Sequence, residues 1–362
     1  MVDDADEQLT GPVLVVGAGL LGTSVGLALR RAGHEVLLTD VVEHNVTIAA
    51  GVGAGRPLTH DDTPRLVVVA VPPDHLGPEI IRALQAFPSA VVTDVGSVKS
   101  APLVEVRAKA SEEELGRYAG GHPMAGSERS GPFAASASLF DGRPWAVVPH
   151  AGAAEASVAR VRALVRACGA TPVALTPDEH DAAVARTSHV PHLLAALVAG
   201  RLVDAPAAQL VLSGQGLRDV TRIAGGDPGL WRQIVSANAA AIGALLGEVR
   251  ADLDRLTDAV RAGRGDEVAR LLDRGVAGTA AIPGKHGGPA RADALVYVAV
   301  PDHPGELARL LGDAGTIGVN VEDLRIDHDP ARPVGLVELT VAEHRADYLV
   351  DALEERGWTA HR

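Results

Sequence analysis

Short aliphatic runs alternate with amphipathic stretches along the first part of the chain. "PVLVVGAG" reads as a buried strand, "LLGTSVGLALRRAG" as a helix and "EVLLTD" as a second strand. "RLVVVAVPP", "AVVTDVGS" and "PWAVVPH" are further strand candidates, with helix-like segments such as "LGPEIIRALQAF" between them. Continuous aliphatic strands in strand–helix–strand order predict a parallel sheet covered on both faces. After about Pro177 the pattern changes. From "DEHDAAVARTSHVPHLLAALVAGRLV" to "DEVARLLDRGVAGTAAI" the spacing is helical, with no convincing strand, and Asp178 and Asp181 read as helix-start residues. "PGKHGGPARA", residues 283–292, is rich in Gly and Pro and reads as a linker. The tail returns to strands. "DALVYVAV" is followed by a loop and a helix, "PDHPGELARLLGDAG", that is expected to stop at Gly315. "VNVEDLRIDH" and "VGLVELTVA" are strands, "RADYLVDALEERG" is a helix and "WTAHR" is a last short strand, which together make a βαββαβ unit. The expected organisation is an α/β dinucleotide-binding domain over 1–176, an all-helical domain over 177–282, a linker over 283–292 and a small α/β domain over 293–362.

Composition narrows the function classes. At 362 residues the chain is long enough for two or three domains. It is 47% hydrophobic but only 2% aromatic, so its cores must be aliphatic. A formal net charge of −13 with no basic run argues against a nucleic-acid partner or an anionic membrane surface. The single cysteine, Cys168, allows neither an internal disulfide nor a multi-cysteine metal site and fits a reducing cytoplasm. "MVDDADEQLT" is acidic and lacks the layout of a secretory signal, and no uninterrupted apolar run is long enough to span a bilayer. A cytoplasmic protein acting on a small molecule is the simplest expectation.

The first chemistry-bearing motif is a nucleotide cradle. Gly17, Gly19 and Gly22 fall in G-x-G-x-x-G spacing between a predicted strand and a predicted helix, and Asp40 ends the next strand. Gly17 permits the tight turn, Gly19 lets a pyrophosphate approach the backbone, and Gly22 allows close helix–sheet packing. The first helical turn, with Leu20 and Leu21, offers free N–H groups to the phosphates. Val71 and Pro72, after the "RLVVVA" strand, belong to the same expected cofactor site. Asp40 is the expected partner of the ribose hydroxyls. Its carboxylate repels a 2′-phosphate, so NAD is expected over NADP.

Other candidates lie in "TDVGSVKS", "GGHPMAGSE", "RTSHVPH" and "LRDVTRIAGGDPGLW". Ser97 can hydrogen-bond a reacting group, while Lys99 reads as a charge near the site or, by preference, as a solvated helix start. His122 sits among Gly120, Gly121, Pro123 and Gly126 in what reads as a shaped loop, either lining a site or forming a turn with a solvated histidine. Ser188, His189 and His192 begin the helical region, and a helix kinked at Pro191 explains His189 alone. Arg218, Asp219 and Arg222 fit a surface helix with ion pairs equally well. No carboxylate–histidine spacing supports a metal site, and none is expected.

Taken together and in order, "GAGLLGTS", "DVGSVK", "GGHPMAGSE", "TSHVPH" and "RDVTRIAGGDPGLW" resemble the prephenate and arogenate dehydrogenase family of tyrosine biosynthesis, over most of residues 11–282. "VPDHPGELARLLGDAGTIGVNVEDLRI" resembles an ACT domain, an amino-acid-sensing module. Thr23 stands where many relatives carry a glycine. The resemblance implies a Rossmann-type domain, a helical dimerisation domain and an ACT-like regulatory domain. The implied reaction is NAD-dependent oxidation of a cyclohexadienyl ring hydroxyl with loss of CO2. In that reading His122 is the base and Ser97 orients the substrate hydroxyl or the imidazole. Arg222 binds a substrate carboxylate, Ser188 and His192 line the pocket, and Ser127 and Glu128 lie near the substrate side chain. Prephenate is the expected substrate, with arogenate as the alternative. The absence of lysine between Pro177 and Ile282 argues against a β-hydroxyacid dehydrogenase, which relies on one. A non-catalytic sensor of dinucleotide and amino acid is the reading from a different class. In the tail, Asp302, His303, Gly305 and Asn320 are expected to hold an amino-acid effector, and the enzyme is expected to form a homodimer.

Overall fold

The computed structural model describes residues 9–126, 130–282, 293–328 and 334–362. The chain divides into two compact units, Met1–Leu253 and Asp254–Arg362. The first unit is built on strands β1 (Val13–Val16), β2 (Val36–Thr39), β3 (Arg56–Pro57), β4 (Leu66–Val69) and β5 (Val91–Asp94). All pair in parallel, in the order β3-β2-β1-β4-β5. The unbroken aliphatic runs reflect burial on both faces: Val13, Val15 and Val68 join one core, while Leu14, Val67 and Val69 join another with Leu76, Ile80 and Leu84. Strand order reverses between β1 and β4, so the crevice for a ligand lies at their carboxyl ends.

A second sheet follows: β6 (Gly120–Pro123), β7 (Pro144–Val148) and β8 (Thr171–Ala174), with β6 antiparallel to β7 and β7 parallel to β8. "PWAVVPH" therefore belongs to this sheet and not to the parallel one, and the short β3 and β8 carry too little apolar signal to stand out in the sequence. The expected loop at His122 is a strand. Its glycines serve close approach: a Cβ on Gly120 would lie 2.9 Å from Lys99 Cδ, and one on Gly121 2.8 Å from the Asp94 carbonyl oxygen. Ala119 N–H donates to the Val92 carbonyl (3.1 Å) and Val92 N–H to that of Arg117 (2.8 Å), docking the approach to β6 onto β5. Pro123 is tolerated because it ends an edge strand.

From Pro177 to Ala280 every described element is helical. Thr176 caps the helix Pro177–Val184 through a reciprocal box with Glu179, so Asp178 lies in the first turn but Asp181 does not begin the helix. The chain then takes a π-turn over Ala185–His189 instead of breaking at Pro191, which falls in the first turn of the helix Val190–Gly200. Helices Pro228–Ala237 and Ala239–Arg261 follow, and Ala185, Val190 and Ile242 form a small core with Leu193, Leu194 and Val235.

In the second unit, β9 (Asp293–Pro301), β10 (Asp323–His328), β11 (Val334–Ala342) and β12 (Thr359–His361) form an antiparallel sheet, ordered β10-β11-β9-β12. Helices Glu306–Ile317 and Glu343–Glu354 complete the βαββαβ order, and Val296, Val298, Val337 and Leu339 pack against Leu310, Leu349 and Leu353. The first of these helices passes through Gly315 and is capped by Gly318 at φ 76°, because the left-handed turn falls there. Asn320 lies in the connection before β10, not on it, and its amide donates to Glu322 Oε1 at 2.8 Å. Asp302, His303 and Gly305 are exposed in the turn after β9. The expected linker, 283–292, lies outside the described residues.

Candidate active site

The glycine motif forms a cradle at the carboxyl edge of the parallel sheet. Gly17 has φ +100°, and a Cβ there would lie 2.4 Å from the Ala70 carbonyl oxygen and 3.3 Å from Val71 Cγ1. A Cβ on Gly22 would overlap the Gly17 carbonyl oxygen at 1.9 Å, whereas Gly19 faces open space. Gly19 is also the N-cap of the helix Leu20–Arg31 and offers no side chain to cap it, so the N–H groups of Leu20, Leu21 and Gly22 are left for an anion. Asp40 follows β2. Its Oδ2 accepts the Ala18 N–H (2.6 Å) and its Oδ1 that of Val42 (2.8 Å), which ties the carboxylate to the glycine loop. Val71 and Pro72 follow β4 on the same edge. All the expected cofactor residues thus gather around one crevice, and its open floor at Gly19 fits a pyrophosphate.

Beside it, Asp94 ends β5 and is fully buried. It accepts hydrogen bonds from the Gly96 N–H (2.8 Å), the Tyr118 hydroxyl (2.9 Å) and the Lys99 ammonium. Burial and the Asp94 charge hold the Tyr118 hydroxyl well above its ordinary pKa. Lys99 is therefore not a solvated helix start. It turns inward to pair with Asp94, in space left by the missing side chain of Gly120. Ser97 is half-buried in the turn between β5 and the helix Ser100–Lys109.

That turn is joined to the helical region. The N–H groups of Lys99 and Ser100 donate to Oδ1 and Oδ2 of Asp181, each at 2.9 Å. His180 Nδ1 lies 2.8 Å from Asp181 Oδ1, and His180 Nε2 lies 2.8 Å from His122 Nδ1. Burial pushes the Asp181 carboxyl up, but the bonds from His180, Ser100 and Lys99 outweigh it and hold the group below its usual range. Burial, the Lys99 charge and the neighbouring His180 and His189 push His122 well below the ordinary histidine value. His122 is thus a half-buried neutral imidazole at pH 7. His180 did not stand out in the sequence, because "PDEHDAAV" has the composition of any capped helix start.

On the helical side His192 stacks on Trp231, with ring centroids 3.5 Å apart and planes at 11°. The Asn238 amide donates to the Asp181 carbonyl oxygen (2.8 Å) and lies 3.2 Å from His189 Nδ1. Burial lowers His189 to about 4, and His189 serves packing around Asp181. Ser188 is exposed on the π-turn. Arg222 is exposed at the start of a 3₁₀ turn, Arg222–Gly225, which packs on the helix Val190–Gly200. No carboxylate among the described residues pairs with Arg222. Ser127 and Glu128 lie outside the described residues. The helix Pro228–Ala237 meets the helix Pro73–Ala86 through the Asp74 N–H, which donates to Gln233 Oε1 at 3.3 Å. Among the described residues no group of His, Cys, Asp or Glu could hold a metal ion, and no single helix is long and apolar enough to cross a membrane.

Two family models match this chain: the nucleotide-binding domain of prephenate dehydrogenase over residues 25–174, and its dimerization domain over 176–274. This chain belongs to the prephenate dehydrogenase family. The probable prephenate dehydrogenase NovF of Streptomyces niveus is 38% identical over 96% of this chain and 99% of its own length. Among solved structures, the prephenate dehydrogenase of A. aeolicus in complex with hydroxyphenyl propionate and NAD+ is 25% identical, with a TM-score of 0.67, and covers 75% of this chain and 98% of that one. The arogenate dehydrogenase of Synechocystis is 27% identical, with a TM-score of 0.63, over 73% and 97%. Within the prephenate dehydrogenase family match, the boundary at 174–176 falls between the strand bearing His122 and the helix bearing His180.

Proposed function

We propose that this chain is an NAD-dependent prephenate dehydrogenase, forming 4-hydroxyphenylpyruvate, CO2 and NADH. The observation that carries the reading is a neutral, half-buried imidazole, His122, on a strand docked to the end of β5 beside the nucleotide cradle. Bound NAD supplies the hydride acceptor for the ring carbon that bears the hydroxyl. His122 takes the hydroxyl proton as the hydride leaves. The electrons of the bond to the departing CO2 then make the ring aromatic, and His122 returns its proton to the phenolate oxygen, so no net proton is consumed. Ser97 orients the hydroxyl. Arg222 holds a substrate carboxylate in bidentate geometry. Ser188, His192, Ser127 and Glu128 complete the pocket in this reading, and Asp40 selects NAD. The test is NADH formation by the full chain with prephenate and, in parallel, with arogenate, using NAD and NADP. Turnover of arogenate alone would make the chain an arogenate dehydrogenase, like its Synechocystis relative. No turnover of either would favour a non-catalytic sensor.

The same reading assigns domains to 1–176, 177–282 and 293–362, and cytoplasmic residence. It also makes the enzyme a homodimer through its helical region, where Leu197, Val203, Val211, Leu212 and Val220 are exposed. The βαββαβ tail is assigned as an ACT-like module that takes an amino-acid effector at the turn holding Asp302, His303 and Gly305, with Asn320 nearby. Its support is the strand order and the left-handed Gly305, at φ 94°, which opens the helix Glu306–Ile317.

A further inference from the structure

With both rings neutral, the hydrogen bonds around His122 leave one consistent arrangement of protons. The Asp181 carboxylate already accepts two backbone N–H groups, from Lys99 and Ser100, and is held ionised. An ionised carboxylate only accepts, so His180 Nδ1 must carry the proton that points at Asp181 Oδ1. With its one proton on Nδ1, a neutral His180 has a bare Nε2. That nitrogen can only accept, and the atom 2.8 Å away is His122 Nδ1. His122 Nδ1 therefore carries the proton, and its Nε2, which makes no hydrogen bond among the described residues, keeps a free lone pair.

We propose that His180 and Asp181 are positioning residues that fix His122 in the Nδ1–H tautomer, leaving Nε2 as the base. This rests on the proposed proton abstraction by His122. The geometry is an Asp–His–His chain of hydrogen bonds that orients the His122 ring and ends on the buried carboxylate of Asp181. The other groups facing His122 are Lys99, from the turn after β5, and His189, from the π-turn, and both disfavour its protonated form. Asp181 is the counter-charge in line with the ring. Its fixed orientation comes from the Asn238 amide on its carbonyl and from the two N–H groups of the turn that also carries Ser97.

Two measurements on the full-length protein test this. The first needs no substrate. Two-bond 1H–15N correlation spectra of protein with 15N-labelled histidine, with His122 assigned by its disappearance in His122→Asn, are expected to show protonated Nδ1 and bare Nε2 at pH 7.5. In Asp181→Asn the carboxamide can donate to His180 Nδ1, which reverses both rings, so the His122 pattern is expected to shift toward protonated Nε2. The second measurement is turnover. Asp181→Asn is expected to lower kcat about 10²- to 10⁴-fold with KM for substrate little changed, the range seen when a buried carboxylate stops setting a histidine tautomer. His180→Gln, whose amide oxygen still accepts the Nδ1 proton, is expected to keep more activity than His180→Leu. A wild-type His122 with bare Nδ1 would overturn the proposal, as would equal, near wild-type kcat in folded His180→Gln and His180→Leu. If neither prephenate nor arogenate is turned over, the substrate reading fails while the tautomer measurement still decides the positioning role.

Discussion

Lys99 and Asp94 form an ion pair closed to water, with side chains 2% and 0% exposed. Such a pair adds little net stability against a well-packed apolar replacement of both members, but removing one member strands the other. In Lys99→Met the Asp94 carboxylate keeps only the Tyr118 hydroxyl and the Gly96 N–H. The variant is expected to lose about 3–5 kcal/mol of unfolding free energy, read as a lower denaturant midpoint at unchanged m. A midpoint equal to that of wild type would mean the ammonium contributes nothing to holding Asp94.

His122→Asn is expected to bind NAD as wild type does and to turn over about two to four orders of magnitude more slowly. On the proposed mechanism only the neutral imidazole can abstract a proton, and burial holds its pKa well below 6.5. Activity is therefore expected to rise with pH on an acid limb that lies below the ordinary histidine range, and to be flat by pH 7. A limb centred at or above 6.5 in kcat would show that the titrating group is not this buried ring.

Asp40→Ala removes the charge that repels a 2′-phosphate and also frees the N–H groups of Ala18 and Val42. Competition binding is expected to show weaker NAD affinity, from a looser glycine loop, together with a shift of preference toward NADP. An unchanged ratio of the two affinities would move cofactor choice to other residues.

Arg222→Ala is expected to raise KM for prephenate, at a cost of roughly 2–5 kcal/mol once the bound carboxylate is sealed from water, and to leave NAD affinity alone. The assignment collapses if titration finds the loss in cofactor binding and steady-state kinetics find KM for prephenate unmoved.

For the tail, tyrosine is the expected effector, and a chain truncated after Pro283 is expected to lose its response while keeping basal turnover. A true effector must bind two states of the enzyme unequally. Equal inhibition of both proteins by tyrosine and phenylalanine would place the amino acid in the active site and remove the regulatory role.

Much of the fold was legible because its signals are local. Four of the five parallel strands are built on aliphatic runs, the glycine fingerprint sits between a strand and a helix, and the tail alternates with period two. What escaped depends on contacts distant in sequence. Lys99 opens a helix and looks solvated until Asp94 and the bare flank of Gly120 are brought against it. "GGHP" lacks every strand propensity and becomes a strand because two glycines let it lie against β5. Asp181 looks like a helix cap, but Thr176 takes that role and leaves Asp181 to receive the turn after β5. His180 has no periodic or spacing signature at all, since its partner His122 lies 58 residues earlier.

That separation bears on how such chains can be recombined. The two family segments meet at residues 174–176, and a natural crossover there would exchange the helical half intact. Such a hybrid would inherit the nucleotide cradle from one parent and the helix bearing His180 and Asp181 from the other. It would work only if the incoming helix presented an imidazole and a carboxylate in register with the strand it had never met. His122 and its hydrogen-bond partner His180 are inherited on opposite sides of the seam, so the halves of this molecule are modules in architecture but one hydrogen-bonded unit at the candidate site.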